Sequence, residues 1–215
     1  MIIDLPPQAF ARHDEAPDGE FYRFERLVTH IDPGAVAAVT QLYRQFLPAG
    51  GDILDLMSSW ISHLPAEVSY GRVAGLGMNR TELAHNPRLT ERLVQDLNEQ
   101  PTLPYGNHNF DGAGICVSVQ YLTRPVEVFA ELARVLRPGA PLVVTFSNRC
   151  FPDKAVYAWQ ALDDAGHAGL VKHYFEAAGF GPAEVYAHRP THGDPLYGVV
   201  ARADKQLLRS STPHS

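Results

Sequence analysis

Residues 103–149 read LPYGNHNFDGAGICVSVQYLTRPVEVFAELARVLRPGAPLVVTFSNR, and this stretch decides the fold. The run 115–119, ICVSV, is apolar and partly β-branched. It is too short for a free-standing helix and suits a strand covered on both faces. Val126, Phe129, Leu132, Ala133 and Leu136 then recur at three- and four-residue spacing, which is the apolar stripe of a helix lying on a sheet. Pro138 and Gly139 end that helix, because proline cannot continue it and glycine accepts the backbone angles of a stop. A second strand pattern follows at 142–146. Strand, helix and strand in this order make a βαβ unit.

Working outward, strand patterns fall at 52–57, 72–75, 92–94, 114–119, 142–146, 183–188 and 197–202, with helices at 79–84, 125–136 and 167–178 between them. Such alternation predicts an α/β fold: a Rossmann-like, doubly wound, seven-stranded sheet, mostly parallel. The last two strands are joined only by RPTHGDP, residues 189–195. That link is too short for a parallel crossover, so the last strand is expected to run antiparallel. Upstream, Val36, Val39, Leu42, Tyr43 and Phe46 share one face of a helix over 33–46, with Asp32 as N-cap and Pro33 in the first helical position. The expected organisation is an N-terminal arm and helix covering the site (1–50), one main domain (51–203) and a polar tail (204–215).

A chain of 215 residues suits one domain, and its 45% hydrophobic and 20% charged content is globular. The net charge of -6 disfavours a nucleic-acid surface, which needs clustered Lys and Arg. No apolar run approaches the length of a membrane helix, and the N-terminus lacks the basic-then-apolar order of a signal peptide, so a cytoplasmic location is expected. Cys116 and Cys150 are not spaced as a redox or metal pair, and the histidines show no ligand spacing, so no metal is expected. The expected partners are a small-molecule substrate and, as an oligomeric option, a second copy of the chain; neither nucleic acid nor membrane is expected.

LPYGNHNFD, VSVQYL and ELARVLRPGAPLVVTFSN together resemble the class I S-adenosylmethionine (SAM) dependent methyltransferases, of the small-molecule type 11 group. The resemblance spans about 51–203. It implies SAM as cofactor and methyl transfer to a small-molecule acceptor. The family carries an acidic residue in its first strand and then a G-x-G-x-G loop. Here Asp55 keeps the acidic position, but the loop reads Met57, Ser58, Ser59, Trp60, Ile61, without a glycine. Side chains therefore occupy space usually left to bare backbone, and they resist the positive φ angles such loops use. At the end of the second strand, where the family places a carboxylate for the ribose hydroxyls, this chain has Gly77, with Asn79 two residues on as a neutral substitute. Asp96 and Leu97 match the adenine-binding positions, and Val119, Gln120 and Tyr121 the loop bordering methionine and substrate.

The cofactor-side candidates are thus Asp55, Met57, Ser58, Ser59, Trp60, Gly77, Asn79, Asp96, Leu97 and Val119; the substrate-side candidates are Gln120, Tyr121, Arg149 and Tyr22. Several have a second reading. Asp55 either meets ligand or caps loop amides. Trp60 either stacks on adenine or plugs the space left by a missing glycine. Phe21, Tyr22 and Tyr157 either roof the substrate or belong to the core. Ser58, Ser59, Ser62 and His63 raise a hydrolase, but the nucleophile-elbow pattern G-x-S-x-G is absent. No catalytic base is identified. The rival to an enzyme is a binding or regulatory protein on a methyltransferase fold, since fold alone does not imply activity.

Overall fold

The computed structural model describes residues 5–204, so the expected tail lies outside the described residues beyond Asp204. The helices are α1 (Asp18–Phe21), α2 (Pro33–Phe46), α3 (Arg80–His85), α4 (Pro125–Val135), α5 (Tyr157–Gln160) and α6 (Asp164–Ala177). The strands are β1 (Asp52–Leu56), β2 (Arg72–Gly77), β3 (Glu91–Val94), β4 (Gly112–Cys116), β5 (Pro141–Ser147), β6 (Glu184–His188) and β7 (Leu196–Arg202). They form one sheet in the order β3-β2-β1-β4-β5-β7-β6. All pairings are parallel except those of β7, which is antiparallel to β5 and to β6. The seven strands and the antiparallel last strand expected from the short 189–195 link are both present.

Alternation along the strands divides the core in two. In β1, Ile53 joins the α2 face, with Val39, Leu42 and Tyr43, while Leu54 and Leu56 join the α4 and α6 face, with Phe129, Leu132, Val171 and Phe175. Both faces are covered because a parallel sheet exposes no face to water. The Asp32 side chain accepts from the Ala35 N–H at 2.8 Å, so α2 begins where its N-cap predicts. Helix α2 then lies close on the sheet: a Cβ at Gly114 would come within 2.7 Å of the Tyr43 hydroxyl.

Two strands end earlier than their sequence patterns. β4 stops at Cys116 instead of running to 119, because Val117 takes a left-handed backbone (φ 43°), and 119–121 turn into a short 3-10 helix. β1 stops at Leu56, because Met57 does the same (φ 57°). A left-handed backbone costs a side-chain-bearing residue about 1–2 kcal/mol, most for a β-branched one. Both residues sit where β1 and β4 part company, at the switch point of the sheet.

Candidate functional site

The sheet order reverses between β1 and β4, and in such sheets the crevice beyond the carboxyl ends of the strands is the ligand position. A cavity of about 560 Å³ occupies it. Its floor is built from the strand-end loops: 57–59 after β1, 77–79 after β2, 95–98 after β3, 116–118 after β4 and 148–152 after β5. Its roof is the N-terminal arm, through Asp18, Tyr22, Arg26 and 29–31. Of the four described non-glycine residues with a left-handed backbone, Met57, His63, His108 and Val117, the first and last line it. Backbone strain held in place by its surroundings clusters at functional sites.

The glycine-free loop is held from below. Asp55 is buried and lies beneath the cavity wall; its Oδ2 accepts from the hydroxyls of Ser58 and Ser62, both at 2.6 Å. Asn86 donates to the Ser62 Oγ (2.8 Å) and the Ser59 carbonyl (2.9 Å). Burial pushes the Asp55 carboxyl up to about 6, and the two serine hydrogen bonds pull against that rise. In this structure Asp55 thus anchors loop hydroxyls. Above it, the Ser58 N–H donates to the Leu76 carbonyl at 2.7 Å, and a Cβ on Gly77 would stand 2.1 Å from the Ser58 carbonyl oxygen. The space a family carboxylate would need at 77 is taken by the rebuilt loop, so the two departures from the family pattern are one structural change.

Asn79 reaches the cavity wall with its amide fully engaged. Its Oδ1 accepts from the N–H groups of Thr81 and Glu82 as the N-cap of α3, and its Nδ2 donates to the carbonyls of Tyr22 and Arg23. That leaves no hydrogen-bonding capacity for a ligand. The carboxylate nearby is Glu82, a lining residue that sequence reasoning missed. One oxygen accepts from the Arg26 N–H at 2.8 Å and the other from the Ser59 hydroxyl at 2.7 Å, leaving lone pairs on both. Its signal was the spacing Asn79-x-x-Glu82, which reads as an ordinary capping box.

Of the other expected residues, Met57, Ser58, Ser59, Gly77, Asp96, Leu97, Tyr121, Arg149 and Tyr22 all line the cavity. Asp96 accepts from the Asn98 N–H at 2.8 Å, and Tyr121 accepts from the Phe151 N–H at 2.9 Å, which fixes the loop after β5. Arg149 is largely exposed. Val119 and Gln120 are buried and do not line the cavity; Gln120 donates to the Val117 carbonyl and so braces the strained turn. Trp60 does not line the cavity: its indole N–H donates to the Val28 carbonyl at 3.0 Å, tying the loop to the arm. Phe21 packs on Phe151 outside the cavity lining, with ring centroids 5.2 Å apart, and Tyr157 is exposed away from it. The roof is further pinned by Asp18, which receives Arg12 at 2.7 Å, the fully buried Lys154 at 3.2 Å and the Asn98 amide at 2.8 Å. Among the described residues, no cluster of three or more His, Cys, Asp or Glu side chains could hold a metal ion.

Residues 59–144, from the loop after β1 into β5, match the family model of a methyltransferase domain. The sheet order with its antiparallel last strand is that of the class I methyltransferase fold. Methyltransferase GfsG of Streptomyces halstedii is 30% identical to it over 128 residues, which are 53% of this chain and 45% of that protein. The match thus spans less than half the length of this curated relative. Among solved structures, the [4+2]-cyclase SpnF superposes with a TM-score of 0.57 at 17% identity, over 78% of this methyltransferase-fold chain and 81% of the cyclase. An S-adenosylmethionine dependent methyltransferase from Mesorhizobium loti gives 0.54 at 17% identity, over 75% and 96% of the two chains. Phosphoethanolamine N-methyltransferase 2 of Haemonchus contortus, solved with S-adenosyl-L-methionine, gives 0.58 at 13% identity, over 77% and 52%. These distant likenesses concern the fold.

Proposed function

We propose that this chain binds SAM in the cavity beyond β1–β5 and transfers its methyl group to a small-molecule acceptor. The observation that carries the reading is the cavity itself, which spans the ends of five parallel strands with carboxylates on its wall, Glu82 and Asp96. The residues suit a cationic nucleoside ligand in three respects. Asp96 and the Leu97 backbone offer an acceptor and a donor for an adenine edge. Glu82 offers charged acceptor lone pairs for ribose hydroxyls, the role first expected of Asn79. Ser118 lines the cavity with its Oγ buried and without a hydrogen-bond partner among the described residues, a group that a ligand's polar end would satisfy.

When bound, SAM supplies a methyl group already activated by the sulfonium charge. The protein's part is alignment and exclusion of water. The loop 57–59, held by Asp55, bounds the methionine end; Tyr121 and Tyr22 bound the acceptor end under the arm. Calorimetric titration of the full chain with SAM and with S-adenosylhomocysteine tests this, with saturable heat expected for both. No heat at millimolar ligand overturns it in favour of a non-catalytic protein on a methyltransferase fold.

A further inference from the structure

We propose that His30 is the general base of the reaction and that the acceptor is a hydroxyl compound, neutral until it reacts. This rests on the SAM-dependent reading above. His30 lies on the arm and lines the cavity, with its ring edge-to-face against Phe151 at 5.4 Å between centroids. Neither ring nitrogen carries a hydrogen bond to another described residue, so one is free to take a proton. Desolvation at the wall lowers the imidazolium from its ordinary 6.5, with Glu82 of α3 opposing that fall and Arg26 of the arm adding to it. His30 is therefore a neutral acceptor at physiological pH. The loop after β5 brings Arg149 and Cys150 to the same cavity.

The competing groups on the wall are occupied or wrongly protonated. Asp18 is bound by Arg12, Lys154 and Asn98. Glu82 receives the Arg26 N–H and the Ser59 hydroxyl, and its remaining lone pairs, like the carboxylate of Asp96, are assigned above to the nucleoside. Burial pushes both Tyr121 and Cys116 up to about 12, so each stays protonated and takes nothing. With Glu82 and Asp96 turned to the nucleoside and Asp18 paired with Arg12 and Lys154, the charges left for the acceptor are the guanidinium groups of Arg26 and Arg149, which disfavour a cationic amine. A neutral hydroxyl meets no such penalty, but it is a weak nucleophile until its proton leaves. In the step, the acceptor oxygen forms a bond to the methyl carbon as the C–S bond breaks. That bond's electron pair stays on sulfur, giving the neutral thioether, and the O–H proton passes to a His30 nitrogen.

The first test needs no acceptor. Full-length protein labelled at histidine Cε1 is titrated by NMR with SAM bound and with S-adenosylhomocysteine bound; loss of one resonance in His30→Gln assigns His30 among the ten histidines. The two ligands differ by the sulfonium methyl and its charge. If His30 faces the reacting centre, its pKa is lower with SAM by at least about half a pH unit, through charge repulsion across the cavity. Equal values in the two complexes overturn the His30 assignment alone. Failure of either ligand to perturb any resonance overturns the SAM reading and this proposal with it. The second test supplies methyl-labelled SAM with a panel of phenols and secondary alcohols beside amines and thiols of similar size. Label in the hydroxyl compounds, at a rate that rises with pH through the measured His30 pKa and falls at least about a hundredfold in His30→Ala, is the expected result. Label in amines or thiols instead, or in no member of the panel, overturns the hydroxyl assignment.

Discussion

Replacing Asp55 with Asn isolates the energetic cost of anchoring a glycine-free loop. The carboxyl is fully buried, and its pKa stands at about 6 against an ordinary 3.8. A folded-state value above the unfolded one means that stability is greatest below the unfolded pKa and is lost as pH rises through the folded pKa. A difference of about 2.2, at roughly 1.4 kcal/mol for each tenfold, makes ionisation of Asp55 cost about 3 kcal/mol once the pH is well above 6. About half of that is already spent near pH 5, so roughly 1.4 kcal/mol is lost between about pH 5 and pH 7.5. Asp55→Asn keeps the shape and cannot ionise. Urea denaturation of both proteins across that range should show wild-type stability falling against the variant by about 1.4 kcal/mol, whatever constant offset the amide introduces. Parallel pH profiles would refute the reasoning, because they would mean that the buried carboxyl titrates alike in the folded and unfolded chains.

Two further substitutions probe the coupled loops. Glu82→Gln keeps the contacts of one side-chain oxygen but loses the charge, and should weaken S-adenosylhomocysteine binding about tenfold or more in a calorimetric titration, as expected for replacing a charge-assisted hydrogen bond by a neutral one; unchanged affinity would remove Glu82 from the ribose role. Gly77→Asp, which installs the carboxylate that the family carries there, should destabilise the protein by more than about 3 kcal/mol in urea denaturation and gain no affinity. Its Cβ would lie 2.1 Å from the Ser58 carbonyl oxygen. A stable variant with tighter binding would show that the two loops are not coupled.

Much of the fold is legible because periodicity and chain breaks carry it. The stripe ending at Leu136 and the stop at Pro138 and Gly139 bound α4, and the seven-residue link at 189–195 forces β7 antiparallel. The end of β4 is not legible, since nothing about a β-branched valine announces the left-handed backbone it adopts at 117. The role of Trp60 depends on a carbonyl 32 residues away, which no local pattern encodes. Glu82 was hidden for the opposite reason: its spacing from Asn79 fits a routine helix cap, while its carboxylate turns outward to the arm and the loop after β1. In the sequence Gly77 is only a missing carboxylate, and the packing of Ser58 against it explains why a side chain there has no room.

The central claim, that the crevice at the switch point binds SAM, is tested most directly by a crystal structure of the protein soaked with S-adenosylhomocysteine. The account predicts the adenine beside 95–97, the ribose hydroxyls on Glu82, and the thioether between the strained residues Met57 and Val117. Density for the ligand elsewhere, such as in the open groove lined by Phe10, Arg12 and Glu99 behind Asp96, or no bound ligand in the cavity at saturating concentration, would contradict it.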